Sequence, residues 1–302
     1  MRRIFEALSW TCKFGLNNLV KRLLNNRGLW DIKSDYTVVA EGTSITDSDF
    51  APDYAATCDF IARNNEYFKN FRRSNSLISA LDHVSIKQGF DYISEIEKTD
   101  GWNPSFTSAI NCIDGVGNPR TYRFGNYGTF SPTLIRYLKV HLDLTRLFGD
   151  LCALKISEIG VGFGGQASLT SQLGGYKEYN FFDLPPVLKL AEQFIASIGS
   201  SQVNQFHDGR NPVAIESDLV VSNYAFSELA REIQVAYLDQ VILRAERGYI
   251  TWNNLSAVHL DGFSLADLVR MIPNSEIMPE VPYTHDGNVI IYWGENRDSL
   301  KK

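Results

Sequence analysis

The sequence predicts an α/β fold: a doubly wound, mostly parallel sheet preceded by a mainly helical region. Three observations lead there. Beyond about residue 150, strand-like runs alternate with helix-length segments, the pattern of parallel strands joined by crossover helices. The first of these runs ends in a glycine-rich turn, "ISEIGVGFGGQ" at 156–166. Upstream, from Asp31 to about Asn126, the signals are mostly helical and irregular, with turn chemistry at "DGWNPS" and "DGVGNPR".

Taken in chain order, the first thirty residues are locally basic. Arg2, Arg3, Lys13, Lys21, Arg22 and Arg27 face a single acid, Glu6, while Ile4, Leu8, Leu16, Leu19, Leu23 and Leu24 recur at roughly helical spacing. Such a helix either meets anionic lipid at a membrane surface or packs on protein, its own or a second subunit's. Residues 31–150 are expected to form a cap or substrate region. Within it "GNYGTFSPTLIRYLKVHLDLTRLFGD" marks a helix, with Ser131 as cap, Pro132 at the first helical position and Gly149 as stop. Strands follow at "KISEIG", "EYNFFD", "SQVNQF", "SDLVVSN" and "RGYITWN", with helices at "PPVLKLAEQFIAS", "SELAREIQVAYLDQVILRA" and "SLADLVRMI". Finally "EIMPEVPYTHDGNVIIYWG" reads as two extended runs about a turn at "HDGN". Two regions result, 1–150 and 151–302.

Composition narrows the function classes. At 302 residues with 44% hydrophobic and 21% charged residues the chain is globular. A net charge of -6 argues against nucleic-acid binding, which needs a basic surface. The four cysteines, Cys12, Cys58, Cys112 and Cys152, have neither zinc nor redox spacing, so a cytoplasmic setting is expected, with membrane contact only through residues 1–30.

The glycines fit two templates. Gly160, Gly162 and Gly165 spell the dinucleotide fingerprint, and Gly160, Gly162 and Gly164 the looser pattern of S-adenosylmethionine (SAM) binders. Asp183, at the end of the second strand, suits the ribose of either cofactor. Glu158 discriminates, because a carboxylate in the turn repels a pyrophosphate but attracts the ammonium and sulfonium of SAM.

Several ordered motifs resemble the sugar O-methyltransferases of bacterial surface-polysaccharide clusters, a SAM-dependent family. They are "YGTFSPTLIRYLKV", "EIGVGFGGQASL", "FFDLPPVLKLAEQF", "VSNYAFSELAREIQVAYLDQVI", "GYITWN" and "GNVIIYWG", covering most of residues 120–294. The resemblance implies a Rossmann-like class I SAM methyltransferase sheet, with Glu158, Gly160, Gly162, Gly164 and Gln166 in the first cofactor motif. It also implies Asp183 on the ribose and Asp208 near the adenine, with Phe182, Leu184 and His207 flanking the nucleoside and Asn223 and Tyr224 completing the site. The double proline after Leu184 departs from the family pattern.

Methylating a sugar hydroxyl calls for a base within hydrogen-bond reach. Glu228, after the strand ending at Asn223, is the first candidate, with Ser227 as cap of the helix it would begin; His285 and His259 are its competitors. Tyr127, Ser131 and Arg136 are expected to close over cofactor or sugar, and Trp252 and Asn253 to stack on and hydrogen-bond the sugar. No dense carboxylate cluster points to a metal. The acceptor is therefore expected to be a sugar or glycan precursor, and a homodimer is compatible with the sequence. Two other readings use the same residues: an NAD-dependent oxidoreductase, and a non-catalytic protein at the membrane periphery.

Overall fold

The computed structural model describes residues 54–295 apart from 200, 255, 256 and 258. The basic segment 1–30 and its membrane and subunit contacts lie outside the described residues. The described residues begin with helices α1 (Tyr54–Arg63), α2 (Asn65–Phe68), α3 (Asn75–Ala80), α4 (Ile86–Thr99) and α5 (Pro104–Asp114). Local chemistry starts the longer ones. Ser85 and Gln88 form a reciprocal capping box on α4, and Asn103 accepts from the Ser105 amide with Pro104 opening α5.

A two-stranded ribbon, β1 (Tyr122–Phe124) and β2 (Gly128–Phe130), leads into α6 (Pro132–Phe148). This is the helix read from "SPTLIRYL", and it stops at Gly149, where φ is 81°. Ser131 sits at its N-cap position, but its hydroxyl makes no cap bond: it donates to Asp114 at 2.7 Å and accepts from Arg72 at 2.9 Å.

The sheet then forms from β3 (Lys155–Ile159), β4 (Glu178–Asp183), β5 (Val203–Asp208), β6 (Ser217–Asn223), β7 (Ala245–Trp252), β8 (Glu276–Pro279) and β9 (Val289–Trp293). Its order is β5-β4-β3-β6-β7-β9-β8, with the first five strands parallel and β9 and β8 antiparallel. The helices α7 (Gly165–Gln172), α8 (Pro185–Ile198), α9 (Arg231–Gln240) and α10 (Leu265–Met271) cover its faces. This is the doubly wound, Rossmann-like sheet expected from the sequence. One helix differs: the run from Ser227 begins as a 3-10 turn over Ala225–Glu228, and α9 starts only at Arg231. Ser227 therefore caps nothing; its hydroxyl donates to Tyr224 O.

Alternation along the strands sorts the core. Ile156, Tyr179, Phe181, Leu219, Val221 and Tyr249 face α6, α7 and α8, whereas Ile159, Phe182, Val220, Ile250 and Trp252 face α9 and α10. A third cluster joins α1, α4 and α5 to α6, α7 and α8 through Ile61, Ile96, Ile113, Leu138, Leu169 and Phe194.

At the seam lies Arg72, 1% exposed, with Nε 2.8 Å from Asp82 and Nη1 2.9 Å from Asp114. Burial alone would raise the Asp82 carboxyl; the Arg72 charge and hydrogen bonds reverse this and hold it below its ordinary value. The guanidinium also stands 4.8 Å from the Phe163 ring centroid, tying the helical layer to the glycine turn. Arg72→Met strands two buried carboxylates and should lower unfolding free energy by about 3–5 kcal/mol. Urea titration measures this, and an unchanged midpoint would contradict the role given to Arg72.

Candidate functional site

β4 and β5 lie on one side of β3, and β6 and β7 on the other, so the chain reverses direction across the β3–β6 boundary. The crevice at such a reversal, beyond the strands' carboxyl ends, is where open α/β sheets bind ligands. Here Ile159 leads into Gly160 on one side and Asn223 into Tyr224 on the other. The two strand ends are clamped by Ser222, whose hydroxyl donates to Ile159 O and accepts from the Phe226 amide, both at 3.0 Å. Close approach explains Gly160: φ is 79°, and a Cβ would overlap that of Ala225. Gly162, with φ of 54°, is covered from the helical layer, since a Cβ there would fall 2.8 Å from Leu81 Cδ2.

The turn's own amides are engaged. Gly160 N donates to Phe182 O at 2.8 Å, Gly164 N to Val161 O at 2.9 Å, and Gly162 N to the Asp183 carboxylate at 3.0 Å. Those three donors are not free to hold a phosphate, and one of them is already taken by the carboxylate of Asp183. Asp183 also accepts from Leu184 N at 2.8 Å. Its surroundings include α1: burial first, then the Asp183 charge, push the Cys58 thiol up.

Glu158 is 2% exposed and accepts from Tyr179 Oη at 2.7 Å. Burial pushes its carboxyl up to about 8, against the bond from Tyr179. Two buried polar atoms at this end of the sheet lack partners, Gln166 Oε1 and Arg136 Nε, while the Asn223 side chain lies close enough to Glu158 to favour its ionised form. Unsatisfied groups gathered at one crevice are what a polar ligand would complete. An acidic pair plus the acceptor Gln166 Oε1 suits a cationic amine, so these residues fit the amino-acid end of SAM better than a dinucleotide.

On the β6 side Glu228 is half-buried, and burial pushes its carboxyl up to about 7. Asn253 Nδ2 donates to Glu228 Oε1 at 2.9 Å, while the Asn253 amide donates to Ser227 Oγ at 3.2 Å. A carboxyl that exchanges its proton near neutrality, held by a fixed amide, has the properties of a general base. Arg136, on α6, attracts both Glu158 and Glu228. Tyr224 has φ of 70°, strained for a non-glycine residue; its hydroxyl donates to Glu280, which also accepts from Thr284 and Asn288.

Other residues singled out from sequence lie elsewhere. Trp252 is fully buried, with Nε1 bonded to Asn254, and leaves no face for a sugar. His285 and His259 are exposed, His285 turned to Asp286 O. Tyr127 packs on Trp102 and bonds Glu97, and Ser131 is taken up by Asp114 and Arg72. Both Asp208 oxygens are held by Arg210, and His207 stacks on Phe182 at 4.8 Å. Sequence reasoning missed Tyr179, Leu81, Cys58 and Glu280. Only Tyr179 carried a signal, because strand alternation puts it on the Glu158 face. A cavity of about 930 Å³ lies at the opposite end of the sheet, bounded by Trp293, Gly294 and Glu295.

The sequence matches no protein-family model and no curated protein. Among solved structures it is similar to a protein of Thermoplasma acidophilum, with 14% identity, a TM-score of 0.40, and coverage of 63% of this chain and 96% of that one. It is similar to the mitomycin 7-O-methyltransferase MmcR, with 13% identity, a TM-score of 0.41 and coverage of 54% of each chain. It is also similar to a TehB-like SAM-dependent methyltransferase from Corynebacterium glutamicum, with 16% identity, a TM-score of 0.38, and coverage of 52% and 86%.

The raised Glu158 carboxyl sets a sign. Unfolded, it ionises near its ordinary 4.5; folded, near 8, so between these values the fold holds a proton the unfolded chain has lost. Stability contributed here is full below the lower value and falls as pH rises through the window. Glu158→Gln removes the effect, and its melting temperature should exceed wild type by a margin that grows between those limits. Parallel melting curves would contradict the assignment.

Proposed function

We propose that the protein is a SAM-dependent O-methyltransferase whose acceptor is a hydroxyl of a sugar or glycan precursor, in the making of a surface polysaccharide. The observation that carries the reading is the crevice itself: an acidic, internally satisfied glycine turn on β3 faces a carboxyl poised near neutrality beyond β6. Bound SAM supplies an electrophilic methyl group on a sulfonium centre. Glu158 and Gln166 Oε1 would accept from the cofactor's ammonium, and Asp183 has the position to accept ribose hydroxyls in exchange for its loop amides. Glu228 would take the proton of the acceptor hydroxyl as the oxygen–methyl bond forms and the sulfur–methyl bond breaks, leaving a neutral thioether and a protonated carboxyl. Asn253 fixes which Glu228 oxygen points inward. Positioning the oxygen in line with the methyl group supplies much of the rate.

The dinucleotide alternative is disfavoured by the loop amides, which are engaged, and by Glu158. The sugar assignment rests on the motif resemblance alone. Calorimetry should give saturable SAM binding without NAD binding, with affinity rising as pH approaches 8 because the cation favours ionised Glu158. Asp183→Ala should weaken SAM at least about tenfold. Glu228→Gln should keep SAM affinity and cut transfer to hydroxyl acceptors by roughly 10²-fold or more. NAD binding alone would replace this reading with an oxidoreductase, and near-normal turnover of the Gln variant would remove Glu228 from the mechanism.

A further inference from the structure

Arg136 presents hydrogen-bond donors that nothing meets. It is 8% exposed, yet its guanidinium makes no hydrogen bond and no ion pair with any described residue, and Nε is sealed from water. Its contacts are aromatic: Tyr137 at 5.2 Å and Tyr224 at 5.7 Å from the ring centroids. Burial opposes its charge and the surrounding Tyr137, Tyr92, Tyr224 and Glu280 outweigh that, yet no acceptor meets its N–H donors. The neighbouring acids are otherwise engaged. Glu280 is taken by Tyr224, Thr284 and Asn288, and the Asp143 carboxylate holds Lys139 through both oxygens at 2.7 Å.

The small cavity beside Arg136 is lined by Tyr92, Asn223, Tyr224, Thr251 and Glu280. These come from α4, from the ends of β6 and β7, and from the segment before β9. That is the half of the sheet bearing Glu228, away from β4 and Asp183 where the nucleoside is expected. We propose that Arg136 is a carboxylate-binding residue of the acceptor site, so that the hydroxyl compound methylated is an acid such as a uronate or another hydroxy acid. The inference deepens the methyltransferase reading and rests on it for the role of acceptor. The planar fork of arginine matches a carboxylate through two parallel N–H donors. A phosphate dianion fits less well, because Glu158, Glu228 and Glu280 all lie within reach of the same guanidinium and one positive charge would not balance them.

The test titrates the full chain with glucuronate and with glycolate, at constant ionic strength, and separately with S-adenosylhomocysteine. Wild type, Arg136→Met and Arg136→Lys are compared. Saturable binding of either carboxylate is expected, weakened about 10- to 100-fold in the Met variant and partly retained in the Lys variant. S-adenosylhomocysteine affinity should be unchanged in both. The Met variant keeps the apolar stem of the side chain; should it fail to fold, the Lys variant decides, with the loss of the two-pronged contact as its readout. Absent carboxylate binding, or binding indifferent to both substitutions, overturns the proposal. So does a tenfold loss of S-adenosylhomocysteine affinity in the Met variant, which would give Arg136 to the cofactor's own carboxylate. If wild type binds carboxylates through Arg136 but not S-adenosylhomocysteine, the anion site stands and the methyltransferase reading falls.

Discussion

Burial of Arg72 is the constraint on which the rest of the arrangement depends. A guanidinium shut away from water must have its donors met, and here the partners come from three separated places in the chain: Asp82, Asp114 and Ser131. Meeting them fixes the approach of the helical layer to α6. The same group lies over Phe163, the one large side chain in the glycine turn, which packs edge-on against Phe71 and Phe194 as well. The turn is thus held from above by an aromatic anchor and from below by β3. Its glycines supply the backbone shape, and Phe163 supplies the grip.

Held in that way, the turn can use its amides on its own protein. Gly162 donates to Asp183, so the loop and the end of β4 are joined by the group expected to contact the nucleoside. Such a carboxylate has a structural partner and retains capacity to accept further bonds. This separates the crevice from phosphate cradles, in which loop amides are kept free for the anion. The carboxylate of Asp183 favours a cationic ligand, and burial raises Glu158 so that its ionisation would be coupled to binding of one.

Much of this architecture is legible in the sequence, and the limits of legibility have a physical pattern. The five parallel strands, α6, α8 and the terminal antiparallel pair follow from periodicity and from Pro and Gly punctuation, which are local. Glu158, Asp183 and Glu228 are visible for the same reason: topology puts strand ends at one edge of the sheet. Side chains whose partners come from distant segments are not. Ser131 has the sequence context of a helix cap, yet Asp114 and Arg72 outcompete the helix amides for its hydroxyl. Trp252 ends a strand as a sugar-stacking residue would, but the Phe226 side of the core claims it. His259 and His285 are exposed, apart from the buried polar groups of the crevice.

The reading as a non-catalytic scaffold is tested by cost. A protein kept only for its fold gains nothing from Glu158 buried beneath a glycine turn, or from Tyr224 forced to a positive φ beside an unpaired Arg136. Each lowers stability, and a neutral or relaxed residue would fit the same space. They are concentrated at the β3–β6 reversal, beyond the carboxyl ends of the parallel strands. Defects of one kind gathered at the place where the topology opens a crevice are what selection for ligand chemistry leaves behind. An internally bonded glycine turn and a carboxyl raised by burial lie beyond the two strand ends that border the crevice, and the proposed transfer of a methyl group to a hydroxyl would use both.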